Sequence, residues 1–317
     1  MEEKKKVLTR NFYNRNDSGL AFLLANIVPL VFVFLLAFIL NYAKVDTKAV
    51  SEELWYLIVS AILAQSSFII SALIVNKSYK ISFSALKVKF NFKPIIILIC
   101  LGVSLICFLG MYNFVGVFDY IWTSIGYNSL ASTLPLENIG HLFLNILILG
   151  IIPPICEEVL FRGVVFNGLR KSHSDGFSVF LSALLFALMH GSLEQLVFPF
   201  IMGIVFAIIV LRTGSIVPSI LVHMFNNVLV IIFSYIYNIT GFTIGFTMNP
   251  LMIVLSVLIA IVAVVLLFLI DKFYFKHKVH ESMEIKEKDY NSSNIFMIVA
   301  IIISVLIFIV NLVSSFI

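Results

Sequence analysis

Apolar residues in this chain occur in long runs, without the alternation typical of a half-buried β-strand. Nine runs predict helices, at about 20–42, 54–76, 94–118, 139–169, 177–191, 194–211, 216–238, 249–270 and 295–317. About 20 apolar residues suffice for a helix to cross a bilayer, and a helix satisfies its own backbone groups inside the lipid. The pattern therefore predicts an all-α fold, a polytopic transmembrane helical bundle of about eight to nine spans.

Residues that disturb helices lie in the third and fourth runs. Gly102, Gly110 and Gly116 interrupt the third run, which could therefore form two pieces. Pro153 and Pro154 lie inside the fourth run, where we expect a kink or a new helix start, because proline lacks a backbone N–H. The fifth run, with about 15 residues, is short for a complete crossing.

The composition agrees with a membrane protein. Hydrophobic residues make up 61% of the 317 residues and charged residues 12%, and the mean hydropathy is +1.09. A soluble domain of this size could not bury so much apolar surface. The three cysteines lack the spacing of a metal site, and a disulfide framework is not expected.

The basic residues indicate the orientation in the membrane. With a cytosolic N-terminus, 19 of the 21 Lys and Arg residues fall in cytosolic segments, and only Lys44 and Lys48 lie outside. The positive-inside rule predicts this bias only if the number of spans is correct, or wrong in pairs. The net charge of +4 therefore reflects orientation, and we expect contact with lipid headgroups and none with nucleic acid.

The polar residues divide the chain into three parts. Residues 1–135 form an N-terminal scaffold of about three spans, and residues 136–240 form a core that holds the polar membrane residues. Residues 241–317 contribute two C-terminal spans with the cytosolic linker 271–293. No inverted pair of broken helices is visible in the sequence, which argues against a secondary transporter.

Several ionisable or amide residues interrupt stretches that otherwise predict transmembrane helix: Glu157, Glu158, Arg162, His190, His223 and Asn227. A charged residue at mid-bilayer costs ~2.5–3.5 kcal/mol, so such residues usually mark a functional site. Glu157, His190 and Asn227 each lie 13 residues from the cytosolic end of their helix, or about 20 Å along its axis. Acid, base and amide at one depth predict a polar pocket that opens toward the cytosol.

Spacings of four residues place side chains on one helical face. Glu158 precedes Arg162 in the order that favours an ion pair. Glu157 is rotated by about 100° from Glu158 and should face a different neighbour. Phe186 and His190 also share a face, on the fifth predicted helix.

The seventh predicted helix repeats this spacing with His223 and Asn227. Asn226 could replace Asn227 if the helix is rotated. His141 and Asn145 have the same spacing on the fourth helix, but nearer the outer face, and we interpret them as packing residues.

These groups suit the hydrolysis of a peptide bond by an activated water. A carboxylate and a histidine can remove a proton from water, which assigns this role to Glu157 and His190. A second histidine with an amide can stabilise the oxyanion, as His223 and Asn227 would. Zinc held by Glu158, His190 and His223 is the alternative, with Glu157 as base. These three lack the local spacing of a zinc motif, so we expect no cofactor and rank zinc second.

The same residues resemble three motifs of the CPBP intramembrane proteases, which include type II CAAX prenyl endopeptidases and bacterial Abi and bacteriocin-processing proteins. The matching segments are EEVLFR from Glu157 to Arg162, FALMH from Phe186 to His190 and HMFNN from His223 to Asn227. The resemblance covers about residues 135–240 and departs from none of the motifs.

This resemblance implies a helical membrane protease of the glutamate type with a buried cavity facing the cytosol. Glu157 and His190 would activate water, His223 and Asn227 would form the oxyanion hole, and the Glu158 ion pair would brace the site. The substrate would be a membrane-associated peptide or a lipidated protein. The richness in Ile, Phe, Lys and Asn favours a bacterial plasma membrane, where the resemblance implies peptide processing, bacteriocin immunity or regulation of a partner.

Two other interpretations remain open from the sequence. A non-catalytic membrane protein of the same fold could give immunity by binding a peptide, or could regulate a partner. A proton- or ion-coupled transporter could use the same buried acids.

Overall fold

The computed structural model describes residues 10–128 except 91 and 93, residues 134–242, scattered positions between 249 and 265, and residues 293–317. The main helices are α1 (Arg15–Tyr42), α2 (Leu54–Ser78), α3 (Pro94–Ser124), α4 (Ile139–Ser172), α5 (Asp175–Met189), α6 (Val197–Thr213), α7 (Val217–Thr240) and α8 (Ile295–Ser314). A short helix, Thr47–Val50, follows α1, and a 3₁₀ turn, Phe83–Leu86, follows α2. The predicted all-α membrane fold is confirmed. The predicted span 249–270 and the linker 271–293 lie largely outside the described residues.

Six of these helices are long and apolar enough to cross a membrane, but α5 and α6 are not. They have 15 and 17 residues, or about 22 and 26 Å, against a hydrocarbon core of ~30 Å. The helices predicted at 177–191 and 194–211 are therefore both present, as a hairpin of two helices shorter than the six candidate spans. Because they form a pair, the orientation inferred from the basic residues does not depend on whether they cross the membrane.

Close approach at a glycine holds this hairpin together. A Cβ added to Gly203 of α6 would lie 3.0 Å from the Cα and Cβ of Ala183 on α5. Small residues at such crossings let helix backbones meet in a membrane protein. The hairpin thus brings the end of α5, where His190 follows, against the middle of the bundle.

The expected division of the third span into two pieces is wrong, because α3 runs as one helix from Pro94 to Ser124. Glycine costs only about 1 kcal/mol in a helix interior and keeps its backbone N–H. Inside lipid no water competes for the backbone groups, so the helix continues through all three glycines.

The prolines of α4 change its winding without ending it. They stand in the first turn of an α-helical segment, Ile152–Glu158, which lies between two π-helical segments, Ile146–Ile151 and Val159–Phe166. Short π-helical segments occur often at functional sites. The predicted break therefore takes the form of a change in hydrogen-bond pattern, and Glu157 and Glu158 end the segment between the two π-helical turns.

Helix α1 supports the C-terminal half of α4. The Ser18 hydroxyl donates to the Val165 carbonyl at 3.0 Å, and Asn167 donates from its side chain to the Arg162 carbonyl at 2.8 Å. A Cβ added to Gly168 would overlap the Ser18 hydroxyl and the Asn14 carbonyl. Side chains thus satisfy carbonyls of the second π-helical segment and fix α4 where it carries the acidic pair.

Helix α8 packs against α1 and the α5–α6 hairpin. A Cβ added to Gly19 of α1 would lie 2.5 Å from the Met297 backbone nitrogen, and Ser304 donates to Asn26 Oδ1 at 2.7 Å. Near its other end, Asn311 Nδ2 donates to the Gly191 carbonyl at 3.0 Å. A helix distant in sequence therefore contacts the residue that follows His190.

Candidate active site

Glu158 and Arg162 form the expected ion pair at the centre of the bundle. Arg162 Nη1 lies 2.7 Å from Glu158 Oε1, and both side chains have 0% exposure. Arg162 Nη2 also donates to the Gly203 carbonyl of α6 at 3.0 Å. The guanidinium carbon lies over the rings of Phe186 and Phe206, at 4.5 and 5.2 Å from their centroids. Charge pairing, hydrogen bonds and aromatic faces together compensate the burial of this cation.

Two residues of α7 complete the contacts of Glu158. Ser219 Oγ donates to Oε2 at 2.5 Å, and His223 Nδ1 lies 3.2 Å from Oε1. Both carboxylate oxygens are therefore in use, one of them by two partners. Ser219 does not belong to the sequence motifs, although its spacing of four residues from His223 could have identified it.

His223 lies between the two glutamates and links them. Its Nε2 is 3.7 Å from Glu157 Oε2, on the opposite side of the ring from the nitrogen that contacts Glu158. Adjacent helix positions predicted different neighbours for Glu157 and Glu158, but both contact this one imidazole. The ring stacks on Phe206 at 4.5 Å between centroids, which fixes its plane.

His190 is oriented by the end of α5. Its Nδ1 lies 2.8 Å from the Phe186 carbonyl, and a carbonyl can only accept, so Nδ1 carries a proton and Nε2 presents a lone pair when the ring is neutral. Phe186 meets the His190 ring edge-to-face at 4.8 Å and the His223 ring at 5.7 Å. His190 also interacts electrostatically with Glu157. One aromatic ring thus separates and positions the two imidazoles.

Exposure differs between the members of this group. Glu158 and Arg162 have 0% exposure, His223 has 4% and Glu157 has 8%, while His190 is half-buried. His190 is therefore the most exposed member of the group and Glu157 the next, whereas Glu158 and Arg162 are fully enclosed. The direction in which this site opens stays a prediction.

Asn227 stands apart from the ion-pair network. Its Nδ2 donates to the Leu149 carbonyl of α4 at 3.2 Å. Its neighbour Asn226 is 4% exposed, and Asn226 Oδ1 is buried with no hydrogen-bond partner. Near the N-terminal end of α4, Asn145 donates from its side chain to the Pro135 and His141 carbonyls.

The alternative zinc ligands do not form a binding group. Within the described residues, no three His, Cys, Asp or Glu side chains are arranged to hold a metal ion. Glu158 directs its oxygens to Arg162, Ser219 and His223, and His223 uses one ring nitrogen for Glu158. The donor set therefore does not fit zinc.

The geometry provides the elements of general acid–base chemistry. Glu157 offers a carboxylate, and His190, with Nδ1 bonded to the Phe186 carbonyl, offers Nε2 as a base when its ring is neutral. His223 presents Nε2 toward Glu157 while Glu158 holds its Nδ1. These groups can move a proton between a bound water and a leaving group without a side-chain nucleophile.

Comparison with known proteins agrees with the motif resemblance. Residues 139–229 match the family model of type II CAAX prenyl endopeptidases, Rce1-like. The chain is 31% identical over 117 residues to the putative membrane peptidase YdiL of Bacillus subtilis, which covers 37% of this chain and 48% of that protein. It is 28% identical over 222 residues to the membrane-embedded CAAX protease MroQ of Staphylococcus aureus, covering 67% and 85% of the two chains. No solved structure matches the chain. The predicted resemblance is confirmed, and the chain is an integral membrane protein.

Proposed function

Since residues 139–229 match the Rce1-like endopeptidase family, we propose that this protein is an intramembrane endopeptidase. It hydrolyses a peptide bond of a membrane-associated peptide or lipidated protein, near the cytosolic side, with a water activated by Glu157 and His190. The observation that carries this proposal is the placement of His223, which contacts Glu157 through one nitrogen and Glu158 through the other.

The reaction begins with a water between Glu157 and His190. One of these groups removes a proton as the water oxygen attacks the scissile carbonyl carbon, and the carbonyl oxygen becomes an oxyanion. A protonated His223 would donate from Nε2 to this oxyanion while Glu158 holds its other nitrogen. The carbon–nitrogen bond then breaks, and the proton taken from water passes to the leaving amine.

The buried ion pair supplies rigidity for this sequence of steps. Arg162 bonds both Glu158 and the Gly203 carbonyl, so it joins α4 to the α5–α6 hairpin. Because His190 follows α5 and Glu157 lies on α4, this connection controls the separation of the two water-activating groups. A site on rigid, packed helices keeps such geometry better than one on loops.

For the substrate, we favour a peptide pheromone or a bacteriocin leader in a bacterial plasma membrane. The relatives named as a membrane peptidase and a CAAX protease belong to bacteria. The half-buried position of His190 and the partial exposure of Glu157 suit an extended peptide that enters from the membrane.

The test compares peptides from cells that express the wild-type protein, Glu157→Gln or His190→Ala, using mass spectrometry of secreted and membrane fractions. We expect both variants to lose a defined peptide and accumulate its precursor, since loss of a general base costs ~10²- to 10⁴-fold in rate. His141→Ala is the matched control, because this histidine lies at the outer end of α4 and hydrogen-bonds Asn138. Unchanged peptide release from Glu157→Gln at normal protein level would refute the hydrolase assignment and favour a non-catalytic binding protein.

A further inference from the structure

His190 stands at the end of α5, where the hydrogen bonding of the helix changes. Its backbone N–H bonds the Ala187 carbonyl, three residues back, at 3.2 Å, and the Gly191 N–H bonds the Leu188 carbonyl at 3.1 Å. Such 3₁₀-type bonds are common in the last turn of a helix. Gly191 then reverses the chain with a φ of +69°, which glycine adopts without steric cost. The backbone of His190 is therefore held by the helix on one side only.

The segment after α5 has little packing of its own. Residues 190–196 join α5 to α6 and form the hairpin tip, and none of these seven described residues is buried. Phe186, one turn before His190, has 2% exposure. The bond from Nδ1 to the Phe186 carbonyl sets the rotation of the His190 ring, but it does not fix the backbone that carries the ring. A constant distance between His190 and Glu157 of α4 therefore needs a contact from another helix.

Helix α8 provides such a contact through Asn311. Asn311 Nδ2 donates to the Gly191 carbonyl at 3.0 Å, and only the nitrogen of the amide can donate to a carbonyl, so the orientation of this amide is defined. A Cβ added to Gly191 would lie 3.0 Å from the same Nδ2. The Asn311 side chain thus lies directly against the turn that follows His190.

This contact is separate from the packing of α8 on α1. Gly19 and Asn26 of α1 meet α8 at positions that are seven residues, or two turns, apart on both helices. The same step leads next to Val33 and Asn311, but Val33 is 66% exposed. At the level of Asn311, α8 contacts the hairpin tip.

The end of α8 is itself anchored to the turn after α3. The Ser315 hydroxyl and N–H both bond the Asn311 carbonyl, at 2.9 and 3.0 Å. The Ser315 carbonyl accepts from the Asn128 N–H at 2.8 Å, and the rings of Tyr127 and Phe316 meet edge-to-face at 5.8 Å. Tyr127 is 2% exposed. Asn311 therefore belongs to a fixed helix end and can restrain the hairpin tip.

We propose that Asn311 is a positioning residue for His190. By holding the Gly191 carbonyl, it fixes the turn that places His190 Nε2 against the water shared with Glu157. Asn311 does not touch the reacting atoms, and it lies outside the segment 139–229 that matches the family model. This inference rests on the proposed hydrolase function. It makes α8 a part of the site, because a displacement of about 1 Å in such a group can cost about 100-fold in rate.

The test uses purified protein in detergent, with the precursor peptide that Glu157→Gln cells accumulate as substrate. Asn311→Leu keeps a similar volume and removes the donor. We expect its kcat to fall about 10- to 100-fold with KM within threefold, because the lost contact acts on the chemical step and not on substrate binding. Asn311→Gln keeps an amide donor, and the half-buried hairpin tip has space for one more methylene group, so its kcat should stay within fivefold of wild type.

Ser304→Ala is the matched control. Ser304 lies two turns before Asn311 on the same face of α8, and its hydroxyl donates to Asn26 of α1. Its loss should lower the melting temperature and leave kcat within twofold, since this contact is distant from the hairpin tip. Hydrogen–deuterium exchange gives a readout that does not depend on activity. Amides of residues 190–196 should exchange faster in Asn311→Leu and at the wild-type rate in Ser304→Ala.

A double-variant comparison identifies His190 as the group through which Asn311 acts. In the His190→Ala background, Asn311→Leu should change the remaining slow cleavage by less than threefold, because the base that it positions is absent. An equal loss in both backgrounds would overturn the inference, as would a kcat of Asn311→Leu within threefold of wild type. An equal loss of kcat in Ser304→Ala would show that any weakening of α8 has this effect, and it would also overturn the assignment.

Failure of the hydrolase proposal would look different from failure of this inference. The first shows as precursor cleavage that persists in both Glu157→Gln and His190→Ala. The second shows only in the α8 variants, while Glu157→Gln remains inactive.

Discussion

Ser219→Ala tests how strongly the buried network holds Glu158. The Ser219 hydroxyl donates to Glu158 Oε2 at 2.5 Å, and both residues have 0% exposure. A hydrogen bond to a charged group contributes about 1.5–3 kcal/mol, and its loss in a buried site leaves the carboxylate oxygen unpaired. Arg162 and His223 contact the other oxygen, Oε1, so they cannot replace the missing donor without a rearrangement.

We therefore expect Ser219→Ala to lower the free energy of unfolding by about 2 kcal/mol, or roughly 30-fold in the unfolding equilibrium. The measurement is reversible unfolding in mixed detergent micelles, followed by circular dichroism. Peptide release should fall as well, because Glu158 also orients the His223 ring that faces the substrate.

Ser182→Ala is the matched control. Ser182 is also fully buried, but its hydroxyl donates to the Val179 carbonyl three residues earlier in the same helix. Its removal should cost less than about 0.5 kcal/mol, since the carbonyl keeps its place in the helical ladder. Equal losses for the two variants would show that Glu158 does not depend on Ser219 and would refute the reasoning.

Three further predictions concern packing, pH and metal. Gly168→Ala should lower the melting temperature by several degrees, because the new methyl group meets α1. Gly102→Ala is the control and should not lower it, because no atom lies within 4 Å of the added Cβ. Similar melting curves for the two variants would contradict the close packing of α4 against α1. Burial, and next the Arg170 charge, lower the pKa of Lys87 from 10.5 to about 8. The unfolded chain therefore binds more protons between these values, so stability should rise with pH from about 8 to 10.5, and Lys87→Met should flatten this rise in thermal melts at pH 7 to 10.5. Strong chelation should leave peptide release unchanged, with no stoichiometric zinc by elemental analysis; activity restored only by added zinc would contradict this.

The sequence predicted the helices because a span needs a long apolar run whatever its neighbours are. It also predicted which polar residues meet, since burial inside lipid is costly for any group without a partner. Glu158 contacts Arg162, as the four-residue spacing indicated, and it also contacts His223 of α7.

The missing details arise where helix geometry departs from its average. The helical-wheel argument assumes 100° per residue, but π-helical turns on both sides of Ile152–Glu158 change the rotation of α4. Glu157 and Glu158 themselves lie in the α-helical segment, and both reach His223, against expectation, because they contact different nitrogens of its ring. Asn227 on α7 donates to the Leu149 carbonyl, which belongs to α4. Residue spacing within α7 alone therefore could not predict this hydrogen bond. In the sequence, the shortness of the α5–α6 hairpin was visible only in the fifth apolar run, which has about 15 residues.

The contact between Asn311 of α8 and the Gly191 carbonyl has a consequence for biosynthesis. Helix α8 follows the other main helices in the sequence, so the ribosome must have translated at least 154 codons beyond Glu157 (311 − 157) before this anchor beside His190 can form. A nascent chain that has inserted only α1 to α7 lacks it. Cleavage activity would then be delayed until α8 has entered the membrane and docked beside His190.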